Sequence, residues 1–105
     1  IRQHDAGNYS IIADKHTAAF DMDKLSFPLL LRPWQRGDTF IPLGMKKRKK
    51  VSDLLIDEKV PLPGKDRIMV LCSGEEIIWV VGLRINDDFR ITPGTRKVLE
   101  INMDM

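Results

Sequence analysis

Apolar residues in this 105-residue chain come almost everywhere in runs of four or five, separated by Pro, Gly and polar pairs, and one stretch alone repeats them at helical spacing. Short runs of that kind are strand-like. They fall at 9–13, 18–22, 29–32, 68–72, 77–81 and 98–101, with Ile85 and 89–91 marking a further short strand and Met103 prolonging the last. Residues 14–17 join the first two runs as a hairpin or meander, Ser73-Gly74-Glu75 makes a tight turn, and 92–95 makes another. A helix is predicted over 50–59, where Val51, Leu54, Leu55 and Glu58 keep the i, i+3, i+4, i+7 spacing and Pro61 stops propagation. Segment 33–50, with Pro or Gly at 33, 37, 42 and 44, reads as an irregular exposed loop. Many short strands with one principal helix describe an α+β domain built on a sheet sandwich, because a βαβ array needs a helix between successive strands.

The composition fits one globular domain: 43% hydrophobic and 30% charged residues, with 17 Lys+Arg against 15 Asp+Glu. A second full domain has no room, and without disulfides or zinc-type cysteine spacing the domain depends on its packed core. The longest apolar runs, 27–31 and 77–83, fall far below the roughly 20 residues that a membrane-spanning helix needs. Cys72, the single cysteine, lies in a strand-like run and cannot form an internal disulfide, which fits a reducing cytoplasm. Ile1-Arg2-Gln3-His4-Asp5 lacks an initiator Met and an apolar signal core, so the chain reads as a piece cut from a longer polypeptide. Trp79, in the middle of 77–81, belongs in the core of a strand buried on both faces. Gly82 behind it allows a bulge or a close backbone approach.

The net charge of +2 conceals an uneven distribution: residues 1–31 carry three basic and four acidic groups, 32–50 seven and one, and 51–105 seven and ten. The middle segment makes a local field able to attract polyanions over about a Debye length, roughly 8 Å at physiological salt. Its centre is Lys46, Lys47, Arg48, Lys49 and Lys50. Taken alone, such a run is equally a solvated loop that keeps the domain soluble. Its setting shifts the weight toward a phosphate backbone with stackable bases: Arg32 and Arg36 precede it, Trp34 and Phe40 are interleaved, and the predicted helix starts directly after it. An anion there would use both the lysines and the free N–H groups of the first helical turn. Trp34 has two readings, cover for the sheet beside Pro33 or a stacking platform, with cover the stronger. Arg84 reaches either a phosphate or a carboxylate such as Asp87 or Asp88, and Arg67 and Arg90 face the same choice.

No catalytic or metal-binding residues are predicted. His4 and His16 lie far from Cys72 in sequence, with neither CxxC nor HExxH spacing. Cys72 has Glu75 and Glu76 close by rather than a base and positive surroundings, so a buried structural thiol is expected. Neither GxxxxGK[ST] nor GxGxxG occurs, so these motifs encode no mononucleotide or dinucleotide site.

At 31–45, Leu-Arg-Pro-Trp-Gln-Arg-Gly-Asp-Thr-Phe-Ile-Pro-Leu-Gly-Met, the sequence resembles the C-terminal domain of bacterial tRNA(Ile)-lysidine synthetases. The likeness continues in order through 49–61, Lys65-Asp66-Arg67, 77–85 and 89–92, covering roughly 25–101. Three of its motifs, RGDxFxPLGM, KKxSDxxID and WVxGxRI, are individually uncommon and occur together. Residues 1–24 are then a weakly matching lead-in packed on the same domain, and 25–105 the C-terminal domain itself. The resemblance implies a fold like that of a domain of the phenylalanyl-tRNA synthetase β subunit, an α+β sheet sandwich of unusual topology. It implies an enzyme that uses ATP to join lysine to the wobble cytidine of an isoleucine tRNA. Its ATP and Mg belong to an N-terminal PP-loop domain, whose SGGxDS motif is absent from this chain. What remains is a non-catalytic, cofactor-free tRNA-binding module that engages the acceptor stem, with Arg36, Lys46, Lys47, Arg48, Lys49, Lys50 and Arg84 as the contacting residues. Its partners are then the tRNA, its own catalytic domain and, as a further option, a second copy. Where the family has Gly and a small residue after Gly-Met-Lys, this chain has Lys47 and Arg48, which adds charge and removes a flexible glycine. Asp38 either contacts RNA or caps its loop. The alternative function is an interdomain or subunit contact without RNA, which salt would weaken little or tighten, whereas RNA binding would weaken steeply.

Overall fold

The computed structural model describes residues 2–8 and 14–103. Its strands are β1 (Arg2–Asp5), β2 (Thr17–Asp21), β3 (Leu29–Pro33), β4 (Thr39–Phe40), β5 (Lys49–Lys50), β6 (Met69–Ser73), β7 (Glu76–Val80), β8 (Arg84–Ile85) and β9 (Lys97–Asn102), with helices α1 (Val51–Asp57) and α2 (Leu62–Lys65) between β5 and β6. They pair antiparallel into a three-stranded sheet β1-β9-β2, a four-stranded sheet β3-β6-β7-β8 and a ribbon β4-β5.

The four-stranded sheet is the middle layer because β6 and β7 are apolar on both faces. On one side Leu71, Ile78 and Trp79 meet Ala18, Phe20, Leu99 and Ile101 of the three-stranded sheet. On the other, Val70, Cys72, Ile77 and Val80 meet Phe40 of the ribbon and Val51, Leu54 and Leu55 of α1. Trp79 is 2% exposed and meets Phe20 edge to face, with ring centroids 6.2 Å apart. Adjacent Ile78 and Trp79 share a face, which regular strand alternation forbids. The β6–β7 register shifts between Leu71 and Cys72, and Ile78 has no partner there. This bulge re-aims the strand so that both large side chains enter one core. Asn86, 1% exposed, holds it: its backbone N–H donates to the Ile78 carbonyl at 2.8 Å and its Nδ2 to the Ile77 carbonyl at 2.7 Å. Gly82 makes no bulge. It sits at φ 82° in the turn from β7 to β8, where Leu83 N–H donates to Val80 O at 2.9 Å.

Several expectations need correction. Segment 33–50 is largely irregular and exposed, as expected, but it carries the end of β3, β4 and β5, and it is anchored at Leu43 N–H to Ile85 O (3.0 Å) and Asp87 N–H to Ile41 O (2.7 Å). Those partners are distant in sequence, so local punctuation conceals the order. Helix α1 is shorter than 50–59. Lys50 is extended, and Lys59 takes φ 56° in a C-terminal cap where Val60 N–H donates to Leu55 O and Lys59 N–H to Ile56 O, each at 3.0 Å. Residues 62–65 form one helical turn, because Pro is tolerated at the first positions of a helix. At 89–91 no strand forms; Asp87–Phe89 is a 3-10 turn capped by the Asn86 side chain, whose Oδ1 accepts from Asp88 N–H at 2.9 Å. Strand β1 has no apolar pattern and escaped the sequence reading, and the predicted strand at 9–13 lies outside the described residues. Among the described residues no helix is long and apolar enough to cross a membrane.

Candidate nucleic-acid interface

The basic segment is carried by the β4-β5 ribbon and the turn before it, and one carboxylate fixes both. Asp38 receives a fork from Arg32 on β3, with Nη1 to Oδ2 at 2.9 Å and Nη2 to Oδ1 at 3.0 Å, and it also accepts from Gln35 N–H at 2.7 Å. Its own carbonyl accepts the N–H of Val51, the first residue of α1, at 2.9 Å. Asp38 therefore caps its loop, and one first-turn donor of α1 is already occupied. Burial raises the Asp38 carboxyl, but the Arg32 hydrogen bonds, the Gln35 N–H and the Arg32 charge together outweigh it and hold the group below the ordinary carboxylate value. The same hydrogen bond to Asp38 raises Arg32.

Three of the seven expected contact residues are held in ion pairs. Arg48 reaches Glu76 on β7 at 2.8 Å, Lys49 pairs with Asp57 at the end of α1, and Arg84 reaches Glu58 at 3.1 Å rather than Asp87 or Asp88. Arg90 pairs with Asp87 at 3.0 Å. Among the described residues Arg36, Lys46, Lys47 and Lys50 have no ion-pair partner. All four are exposed, Lys46 and Lys47 in the connection between the ribbon strands and Arg36 in the turn before them.

Arg36 and Lys50 also share a cleft of about 600 Å³ with Trp34, Gly37, Ser52 and Ile56. Lys65 and Asp66 complete its lining from the α2 end. Trp34 is fixed there: its N–H donates to Ile68 O at 3.2 Å and its indole Nε1–H to Lys65 O at 2.7 Å. Trp34 covers the sheet, as the stronger reading expects, packing against the Phe40 and Val51 core, and it also walls the cleft. Lys65 and Ser52 escaped the sequence reading as site residues, although Lys65 lies in the Lys65-Asp66-Arg67 stretch and Ser52 in the KKxSDxxID motif that carry the resemblance. Cys72 is buried, and burial pushes its thiol up, as a structural cysteine requires.

A family model described as the TilS substrate C-terminal domain matches residues 29–102. The chain belongs to the TilS C-terminal domain family. It is 50% identical over 95 residues to a tRNA(Ile)-lysidine synthase of Parabacteroides distasonis, covering 90% of this chain and 22% of that protein. A Bacteroides thetaiotaomicron protein of the same name is 47% identical over 92 residues, covering 88% and 22%. The chain thus spans about a fifth of the length of these relatives. In fold it is similar to a crystal structure of a TILS C-terminal domain, with a TM-score of 0.74 at 23% identity over 98% of this chain and 83% of that one. It is also similar to an N-terminal fragment of the phenylalanyl-tRNA synthetase β subunit from Pyrococcus horikoshii, with a TM-score of 0.64 at 19% identity over 80% and 26%. The strand-rich α+β architecture is thus the one the sequence resemblance implied.

Proposed function

We propose that this domain binds the acceptor stem of an isoleucine tRNA and holds it for an ATP-dependent, lysine-joining reaction carried out by the catalytic domain of the same cytoplasmic enzyme. The observation that carries the reading is that four exposed cations without ion-pair partners among the described residues, Arg36, Lys46, Lys47 and Lys50, lie together on one ribbon and its leading turn. Cations left without protein partners are the ones able to release counterions from a nucleic-acid backbone. The names of the relatives supply the tRNA, and the rigid Asp38 clamp supplies the fixed geometry that register on a stem requires. Arg48, Lys49 and Arg84 join the contact only if their pairs open. ATP and Mg are assigned to the catalytic domain, and this domain alone is expected to hydrolyse no ATP.

A second reading, contact with the catalytic domain or a second copy, is favoured by a different observation. Strand β3 is an edge of its sheet, and Phe27 just before it and Leu30 on it are 55% and 57% exposed. Titrating the 105-residue domain with isoleucine tRNA and with an acceptor-stem minihelix, over a range of salt, separates the two. Stem binding that weakens steeply with salt is expected; no binding at low salt overturns the tRNA reading and leaves the β3 surface as the working face.

A further inference from the structure

We propose that the Trp34 cleft holds one unpaired nucleotide of the bound RNA, its base against the indole and its phosphate among Arg36, Lys50 and Lys65. The inference rests on the tRNA reading above and adds what kind of RNA feature the domain detects.

The chemistry of the lining selects the ligand. Three cations face one carboxylate, Asp66, so the cleft carries an excess positive charge that suits an anion. The indole Nε1–H is already occupied by the Lys65 carbonyl at 2.7 Å, so Trp34 offers the cleft its ring and not a donor. Ile56, 62% exposed, adds an apolar surface from which a ligand would displace water. A ring surface and an aliphatic surface next to phosphate-seeking cations match a base joined to a phosphate. Ser52 and Asp66 bring hydroxyl and carboxylate oxygens suited to ribose hydroxyls. The volume of about 600 Å³ lies in the usual range for a small-ligand pocket. A paired stem is excluded as the occupant because its bases are stacked on one another and present no free ring face. The occupant is therefore a nucleotide outside the duplex, such as one at a strand end or a bulge.

The site is also built before any ligand arrives. Trp34 is pinned through its backbone and its ring, Arg36 stands in a turn closed by Asp38, and Lys50 leads into α1 through the ribbon. Little ordering is left to be done on binding, which favours a contact with a single nucleotide.

The test compares two RNA hairpins with equal numbers of phosphates, one with a short single-stranded 3′ overhang and one with a longer, blunt stem. The wild-type domain is expected to bind the overhang form about five- to a hundredfold tighter, the range for one stacked base. Trp34→Ala is expected to abolish that preference. Because Trp34 also packs against the core, Ile56→Glu serves as a second variant: its side chain is exposed, and the new carboxylate repels a phosphate in the cleft without touching the core. It should lose the preference as well, with an unchanged circular dichroism spectrum. If the wild type binds both hairpins equally, or if Ile56→Glu keeps the preference, the cleft assignment is wrong while the tRNA reading stands. If neither hairpin binds, both fail.

Discussion

Replacing Lys46, Lys47 and Lys50 by Ala should flatten the salt dependence of stem binding, while replacing Arg48 and Lys49 should barely change it. The five residues are contiguous in sequence and chemically alike; the structure alone separates them. Arg48 and Lys49 lie against Glu76 and Asp57, whereas the other three have no ion-pair partner among the described residues. Each duplex phosphate neutralised contributes about −0.9 to the slope of log K against log salt, so losing three contacts makes the slope shallower by about 2.7. Between 50 and 200 mM salt that corresponds to about a 40-fold smaller loss of affinity. The paired double variant should shift the slope by less than about 1. Both variants should stay folded, because exposed ion pairs contribute only about 0–1 kcal/mol each. Filter binding or fluorescence anisotropy at four or more salt concentrations, with matched and mismatched acceptor stems, reads the slopes. Both stems should weaken about equally, since phosphate contacts carry no sequence information. Equal flattening per charge in the two variants would refute the reasoning, for it would mean that the ion pairs open on binding and that static pairing does not mark the contact residues.

Three further outcomes test the fold that holds this face. Trp79→Ala, at a 2% exposed site between two sheets, should cost about 3–5 kcal/mol in urea unfolding, and a midpoint equal to wild type would show that the site collapses without loss. Asn86→Ala should cost about 1–3 kcal/mol, because it strips the Ile77 carbonyl at the β7 bulge of its buried donor. Asp38 is lowered in the folded state, so its stabilisation is complete above its unfolded value of about 3.9 and is lost as pH falls through the lower folded value. Asp38→Asn should therefore be less stable than wild type at pH 7, with the gap closing below about pH 4; a gap independent of pH would exclude the Arg32 pair as its cause.

Much of the middle sheet was legible from the order of residues alone. The continuous apolar runs at 68–72 and 77–81 correspond to β6 and β7, with Ser73-Gly74-Glu75 turning between them, and 29–32 and 98–101 correspond to β3 and β9. A strand covered on both faces has little tolerance for polar residues, so burial is written directly into its composition. Val51, Leu54 and Leu55 marked the buried stripe of α1 for the same reason. The basic run was legible too, because charge density is a local property.

What the sequence could not disclose depends on partners far along the chain. Strand β1 reads Arg-Gln-His-Asp and becomes a strand only because β9 offers it an edge. The bulge at Ile78 depends on Asn86, and the order within 33–50 depends on Ile85 and Asp87. The division of the basic run into paired and unpaired cations depends on Glu76, Asp57 and the fold that brings them near. Lys65 reaches the Trp34 cleft because its carbonyl, 31 residues away in sequence, accepts the indole N–H. Hydrophobic periodicity is set by neighbours three or four residues apart and survives in the sequence as a pattern. A hydrogen bond or an ion pair across the fold leaves no such trace, since almost any exposed carboxylate or carbonyl could have served, and only packing decides which one does.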